Sequence, residues 1–255
     1  MPVAFVGHGS PTLALDPVKG AELTAWAQRW PALRGVVVLS AHWEDAPVQI
    51  GATRTLPLIY DFYGFPKALY DVQYAAPGAP WLADRVAGLL QGQPVQRAPE
   101  RGLDHGAWVP LKWFLPKADV PVLAVSLPSQ DPQALFALGR KLAPLRSEGV
   151  LILGSGNVTH NLRQVSFRGD PPPPAWATEF DAWVSEVVQG GQMDALLQWQ
   201  TQAPAARMNH PTVEHFTPLL VAAGAAWGDG GRPKVTWPVQ GWEYGSLSRR
   251  GVQFG

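Results

Sequence analysis

Four short aliphatic runs, at residues 3–6, 35–39, 122–126 and 150–153, do most to narrow the folds open to this chain. They read as strands, and GVVVL at 35–39 and VLIL at 150–153 lack the polar alternation of a half-exposed sheet, so both are expected in its buried centre. Segments of helical periodicity stand between or beside them at residues 18–28, 80–90 and 131–145. Alternation of this kind gives a sheet covered by helices on both faces. The expected class is therefore α/β, with a central, mostly parallel or mixed sheet in a single domain spanning residues 1–255. The four prolines at 171–174 can be neither helix nor central strand, so they form an extended connector before a helix at 175–188. Thr212 is expected to cap a helix that carries His215 and continues through Leu219 to Gly224. Residues 235–237 and 246–254 read as late strands.

Composition removes several classes of function. Twenty basic residues balance twenty acidic ones, which leaves no charged face for nucleic acid. There is no apolar stretch long enough to cross a bilayer, and the N-terminal segment lacks the basic and long apolar regions of a signal peptide, so a cytoplasmic address is expected. With no cysteine, disulfides, thiolate metal sites and cysteine nucleophiles are excluded, and any metal must be held by nitrogen and oxygen. Twelve tryptophans either pack the core or line a pocket for a flat substrate. No heptad array or unusually apolar helix marks an oligomer interface, and the oligomeric state stays open.

The six histidines carry most of the remaining information. His8 and His42 each follow the end of an expected strand, where open α/β sheets place their ligand crevices. His105, His160, His210 and His215 also lie in or beside turn signals, and none is buried in a helical or strand pattern. One histidine in a loop is usually structural. Six with the same placement are what a shared pocket produces. Rival motifs fail: Leu153-Gly154-Ser155-Gly156-Asn157 lacks the outer glycines of a nucleophile elbow, and Gly154 and Gly156 come too late, with Thr159 in place of the third glycine, for a dinucleotide fingerprint.

Five segments then resemble a known family in its own order. They are His8-Gly9-Ser10-Pro11, Ser40-Ala41-His42-Trp43, Asp104-His105-Gly106-Ala107-Trp108, Gly156-Asn157 with His160-Asn161-Leu162, and His210-Pro211-Thr212 with Glu214-His215. Together they resemble the DODA-type extradiol aromatic ring-opening dioxygenases of the class III, protocatechuate 4,5-dioxygenase-like superfamily. The resemblance implies that His8, His42 and His215 ligate a metal, that His105 is the acid/base residue, and that His160 acts from the other side of the pocket. It further implies a small aromatic diol and O2 as substrates. Glu214 is kept as a supporting group or substitute ligand, because other class III enzymes use a glutamate as third ligand. Three neutral imidazoles suit Zn(II) as well as Fe(II), so iron is expected for activity while zinc is able to occupy the site.

On this reading the metal lowers the pKa of a bound catechol, His105 takes the second proton, and His160 hydrogen-bonds the reacting oxygen or returns a proton. His210, Trp43, Trp108, Tyr60 and Phe62 are candidate pocket walls. Asp104 and Asn157 are candidates for fixing imidazole tautomers. A zinc hydrolase, or a metal-binding relative without catalysis, is the alternative on the same histidines.

Overall fold

The computed structural model describes every residue except Arg168, Asp170 and Asp229. Its strands in chain order are β1 (Val3–Gly7), β2 (Gly35–Ser40), β3 (Val48–Ile50), β4 (Val95–Arg97), β5 (Val122–Ala124), β6 (Val150–Gly156), β7 (Val235–Val239), β8 (Trp242–Glu243), β9 (Leu247–Ser248) and β10 (Gly251–Phe254). The helices are α1 (Pro17–Ala27), α2 (Lys67–Tyr70), α3 (Pro80–Leu89), α4 (His105–Phe114), α5 (Pro132–Leu142), α6 (Ala175–Gly190), α7 (Met193–Leu197), α8 (Trp199–Gln202), α9 (Ala206–Asn209) and α10 (Thr217–Trp227).

Six strands form one sheet in the order β5-β2-β6-β1-β10-β7. The first four are parallel, with Val37 opposite Ile152 and Phe5 opposite Gly154, while β10 and β7 add an antiparallel edge. The sheet is thus mixed, as expected for this α/β class. Side chains of a strand alternate between faces, and two cores follow from that. Val3, Phe5, Val37, Leu39, Val150 and Ile152 face α3, α5, α6 and α10. Ala4, Val6, Val36, Val38, Leu151 and Leu153 face α1 and α4. The strands are buried on both faces because helices cover both, which explains their uninterrupted aliphatic sequences.

The helices start where local chemistry allows. Asp16 accepts hydrogen bonds from the amides of Val18 and Lys19, and Asp131 does the same for Gln133 and Ala134. Each thereby satisfies donors that a helix leaves unpaired at its start. α10 is buried on every side from Thr217 to Ala226. No helix among the described residues is long and apolar enough to cross a membrane.

Three expectations need correction. The helix after His215 begins only at Thr217, with Pro218 in its first turn, so His215 lies in the preceding turn and Thr212 does not cap it. Pro218 has no N–H to give and suits the first turn of a helix, where that donor would be unpaired anyway, which favours the boundary there. The helix at 131–145 stops at Leu142 and tightens into a 3₁₀ segment, Ala143–Glu148. The run 246–254 is two strands, β9 pairing with β8 and β10 pairing with β1 and β7. At the break the Ser248 amide donates to Thr159 Oγ1, and its carbonyl accepts from Asn157 Nδ2. Side chains from the far end of β6 thus take up the backbone groups that a continuous ladder would use.

Candidate active site

Three parallel strands deliver the site at their C-terminal ends. His8 follows β1 directly, His42 comes two residues after β2, and β6 ends beside His215, whose carbonyl accepts from the Asn157 amide at 2.8 Å. An ideal Cβ on Gly156 would lie 2.1 Å from the same carbonyl, so only glycine lets the His215 turn approach the strand end this closely. α4 supplies His105 as its first residue. Asp104 caps that helix by accepting from the Ala107 amide at 3.2 Å, and its carboxylate also accepts from Ser40 Oγ at 2.7 Å and Arg101 Nη2 at 3.0 Å.

Five imidazoles meet in this crevice. The ring centroids of His8 and His42 are 5.0 Å apart, those of His8 and His215 5.3 Å, and those of His42 and His215 4.9 Å. His105 is closer to His42, at 3.9 Å, and His160 stacks on His215 at 3.4 Å and 9°. A ring bound through one nitrogen at about 2.1 Å has its centroid about 3.2 Å from the ion, so two rings at octahedral or tetrahedral angles stand roughly 4.6–5.3 Å apart. The three separations within His8, His42 and His215 fall in that range, whereas the His42–His105 and His160–His215 spacings are too short for it.

Polar neighbours stand at the same nitrogen, Nδ1, of each of the three rings. Ser155 Oγ donates to the Gly106 carbonyl, which leaves its lone pairs to accept from His8 Nδ1, 3.0 Å away. The Glu214 carboxylate accepts from His215 Nδ1 at 2.9 Å, and Asp61 Oδ2 stands 3.5 Å from His42 Nδ1. With hydrogen on each Nδ1, the Nε2 atoms keep their lone pairs, and those of His8 and His42 are 3.1 Å apart. Burial, then the neighbouring His42, His215, His105 and His160, drives His8 well below the ordinary imidazole range. Burial also lowers His215 strongly, with His160 next in effect. Burial and then His105 take His42 down to about 3, and burial takes His160 to about 4. Neutral rings with a free nitrogen lone pair are the form in which histidine binds a metal, so this donor set fits a divalent cation.

The ligand atoms that lie within 4.8 Å of one another group as His8, His42 and His105, and as His160, Glu214 and His215, so His8 and His42 fall in one group and His215 in the other. Glu214 accepts from His215 Nδ1 and from Thr212 Oγ1, which fits a supporting group better than a ligand.

The remaining expected residues are spread more widely. Phe62 packs on His105 at 5.7 Å between centroids, and Tyr60 and Trp108 stand behind it. Trp108 is fully buried and donates through Nε1 to the Ile59 carbonyl. Trp43 is buried beneath the Arg101 guanidinium. His210 is in the aromatic core of Phe180, Trp199 and Phe216, its Nε2 2.7 Å from the Val158 carbonyl, and among the described residues it makes no ring contact with the five clustered imidazoles. Asp104 and Asn157 support the site through α4 and through backbone rather than by touching an imidazole nitrogen.

Sequence reasoning missed Asp61 and Ser155. Asp61 Oδ1 accepts from both the backbone amide and Nδ1 of His105, at 3.0 and 2.8 Å. Burial alone would raise its pKa, but the hydrogen bond and charge of His105 bring it to about 2. Its one sequence signal is an acid inside the aromatic stretch Tyr60-Asp61-Phe62-Tyr63. Ser155 is the serine of the Gly154-Ser155-Gly156 run, where small neighbours signal close backbone approach rather than a nucleophile.

Sheet and crevice together define an α/β protein built for small-molecule chemistry at a histidine cluster. The family profile described as the catalytic LigB subunit of aromatic ring-opening dioxygenase matches residues 17–255. The chain is 43% identical to a 4,5-DOPA dioxygenase extradiol from Escherichia coli (strain K12), covering 100% of this chain and 95% of that protein. It is 39% identical to one from Beta vulgaris, covering 98% and 95%. The crystal structure of an uncharacterized Escherichia coli K12 protein matches with a TM-score of 0.85 at 36% identity over 100% of both chains. The chain therefore belongs to the LigB family of aromatic ring-opening dioxygenases, as an extradiol ring-cleaving enzyme.

Proposed function

We propose that this enzyme cleaves the ring of a catechol-type, DOPA-like diol with O2, using Fe(II) held by His8, His42 and His215. The observation that carries the metal assignment is the near-equal spacing of those three rings, each with Nδ1 turned to a supporting oxygen. The names of the relatives support the diol. When bound, the metal would supply a positive charge that acidifies the diol hydroxyls and a route for electrons from the ring to O2. Zinc would fit the same three nitrogens but supports no such electron transfer.

The chain's own residues handle protons and orientation. His105, with Nδ1 against Asp61, would take a hydroxyl proton on Nε2. His160, flat against His215, would donate a hydrogen bond to the reacting oxygen and return a proton as the O–O bond breaks. Phe62 would wall the aromatic ring beside His105. Both oxygen atoms enter the product, the carbon–carbon bond beside the diol breaks, and a ring-opened semialdehyde results.

Anaerobic reconstitution with Fe(II), followed by catechols such as DOPA and then O2, tests the reading. Oxygen uptake with a new visible chromophore is expected from the iron form and none from the zinc form. Failure of the iron form on every diol offered would remove the proposal.

A further inference from the structure

Asp61 occupies a stretch, residues 51–66, that has no helix or strand. Its neighbours hold it nonetheless. Tyr60 Oη donates to the Val72 carbonyl at 2.6 Å, and Phe62 packs against Tyr60, Phe65, Tyr70 and Trp108. The anchored carboxylate faces two rings, Oδ1 at 2.8 Å from His105 Nδ1 and Oδ2 at 3.5 Å from His42 Nδ1. An ionised carboxylate only accepts hydrogen bonds, so the nitrogen opposite it must carry hydrogen, and the other nitrogen of that ring must carry the lone pair.

We propose that Asp61 is a positioning residue for ring cleavage: it holds His105 in the Nδ1–H tautomer, with Nε2 free as the base, and steadies the His42 ring with its second oxygen. The inference rests on the reading of His105 as the acid/base group. Oδ1 also accepts from the His105 amide, a donor that the start of α4 would otherwise leave unpaired. A capping group would affect stability without choosing a tautomer. Partners that orient an imidazole in this way typically change activity by roughly 10–100-fold when removed.

The test compares the full chain with Asp61→Ala and Asp61→Asn. In the metal-free and zinc-loaded proteins, long-range ¹H–¹⁵N correlation spectra report the tautomer of each histidine, with His105 assigned through its loss in His105→Gln. Wild type is expected to show His105 as Nδ1–H, and Asp61→Ala to shift it toward Nε2–H. Asp61→Asn keeps an accepting oxygen and should retain the tautomer; it also serves as the folded control if the alanine variant does not fold, since loss of the tautomer in the asparagine variant counts against the carboxamide oxygen as a substitute acceptor and hence against the proposal. In the Fe(II) enzyme, kcat should fall roughly 10–100-fold in Asp61→Ala and less in Asp61→Asn, with KM for the diol within about threefold. An unchanged His105 tautomer in Asp61→Ala, or unchanged kcat, overturns the role. If the wild-type iron enzyme cleaves no diol, the proposed function fails, while the spectra still decide what Asp61 does.

Discussion

The histidines proposed as ligands and the one proposed as base differ in which neighbours restrain them and how far apart their rings stand. His8 is held at Nδ1 through Ser155 and His215 at Nδ1 through Glu214, and the Nε2 atoms of His8 and His42 stand 3.1 Å apart. His105 crowds His42 too closely to share an ion with it at ordinary angles. Separate outcomes are therefore expected from alanine substitution. His8→Ala, His42→Ala and His215→Ala should each strip the protein of metal, read by elemental analysis after reconstitution. His105→Ala should keep its metal and lose roughly 10²- to 10⁴-fold in turnover. Full metal occupancy in the first three would end the ligand assignment, and an empty His105→Ala protein would make that residue a ligand instead.

Elements decide how precisely these side chains are held. The start of α4 is wedged between β2 and β6, and an ideal Cβ on Gly106 would stand 2.3 Å from Ser40 Oγ and 2.9 Å from His42 Cδ2. Neither neighbour can retreat freely, because Ser40 is hydrogen-bonded to buried Asp104 and His42 belongs to the cluster. Gly106→Ala is accordingly expected to destabilise the fold by about 1–3 kcal/mol and to weaken metal binding by displacing His42. Gly88, inside α3, has no atom within 4 Å of its ideal Cβ. Gly88→Ala should add about 0.4–1 kcal/mol of stability without touching the site. Urea unfolding of the two variants measures both. Equal effects would mean that the crowding at α4 is relieved at no cost.

Across the whole molecule, gathering imidazoles into a buried interior makes stability depend on pH. His210, outside the cluster, shows this most simply: burial takes it from 6.5 to about 4, against a smaller opposing effect of its bond to Val158. Between those values the unfolded chain binds a proton that the folded chain does not. Stability is thus fully present above about pH 6.5 and is lost as pH falls toward 4. In the metal-free protein His210→Gln, which keeps a donor for Val158 but cannot titrate, should flatten that slope by up to about 1.4 kcal/mol per pH unit, as followed by urea unfolding at several pH values. An unchanged slope would show that His210 is not a neutral buried group.

How much of this was legible beforehand follows from the range of each interaction. Uninterrupted runs such as Val36-Val37-Val38 disclosed the central strands, because burial on both faces is written into local composition. His8 and His42 were readable as crevice residues from their position just past two such runs. The family segments supplied His105, His160 and His215 as partners. Asp61 and Ser155 were not legible, since nothing within a few residues of either announces an imidazole that is 44 or 147 positions away in the chain. The division of residues 246–254 was hidden for the same reason, its cause being side chains of Asn157 and Thr159. Local sequence determined the strands, the helix starts and the set of available imidazoles. Only the tertiary structure decided which nitrogen of His8 and His105 is engaged and which is left free, because that depends on Ser155 and Asp61, contributed by distant segments packed near the ends of the same sheet.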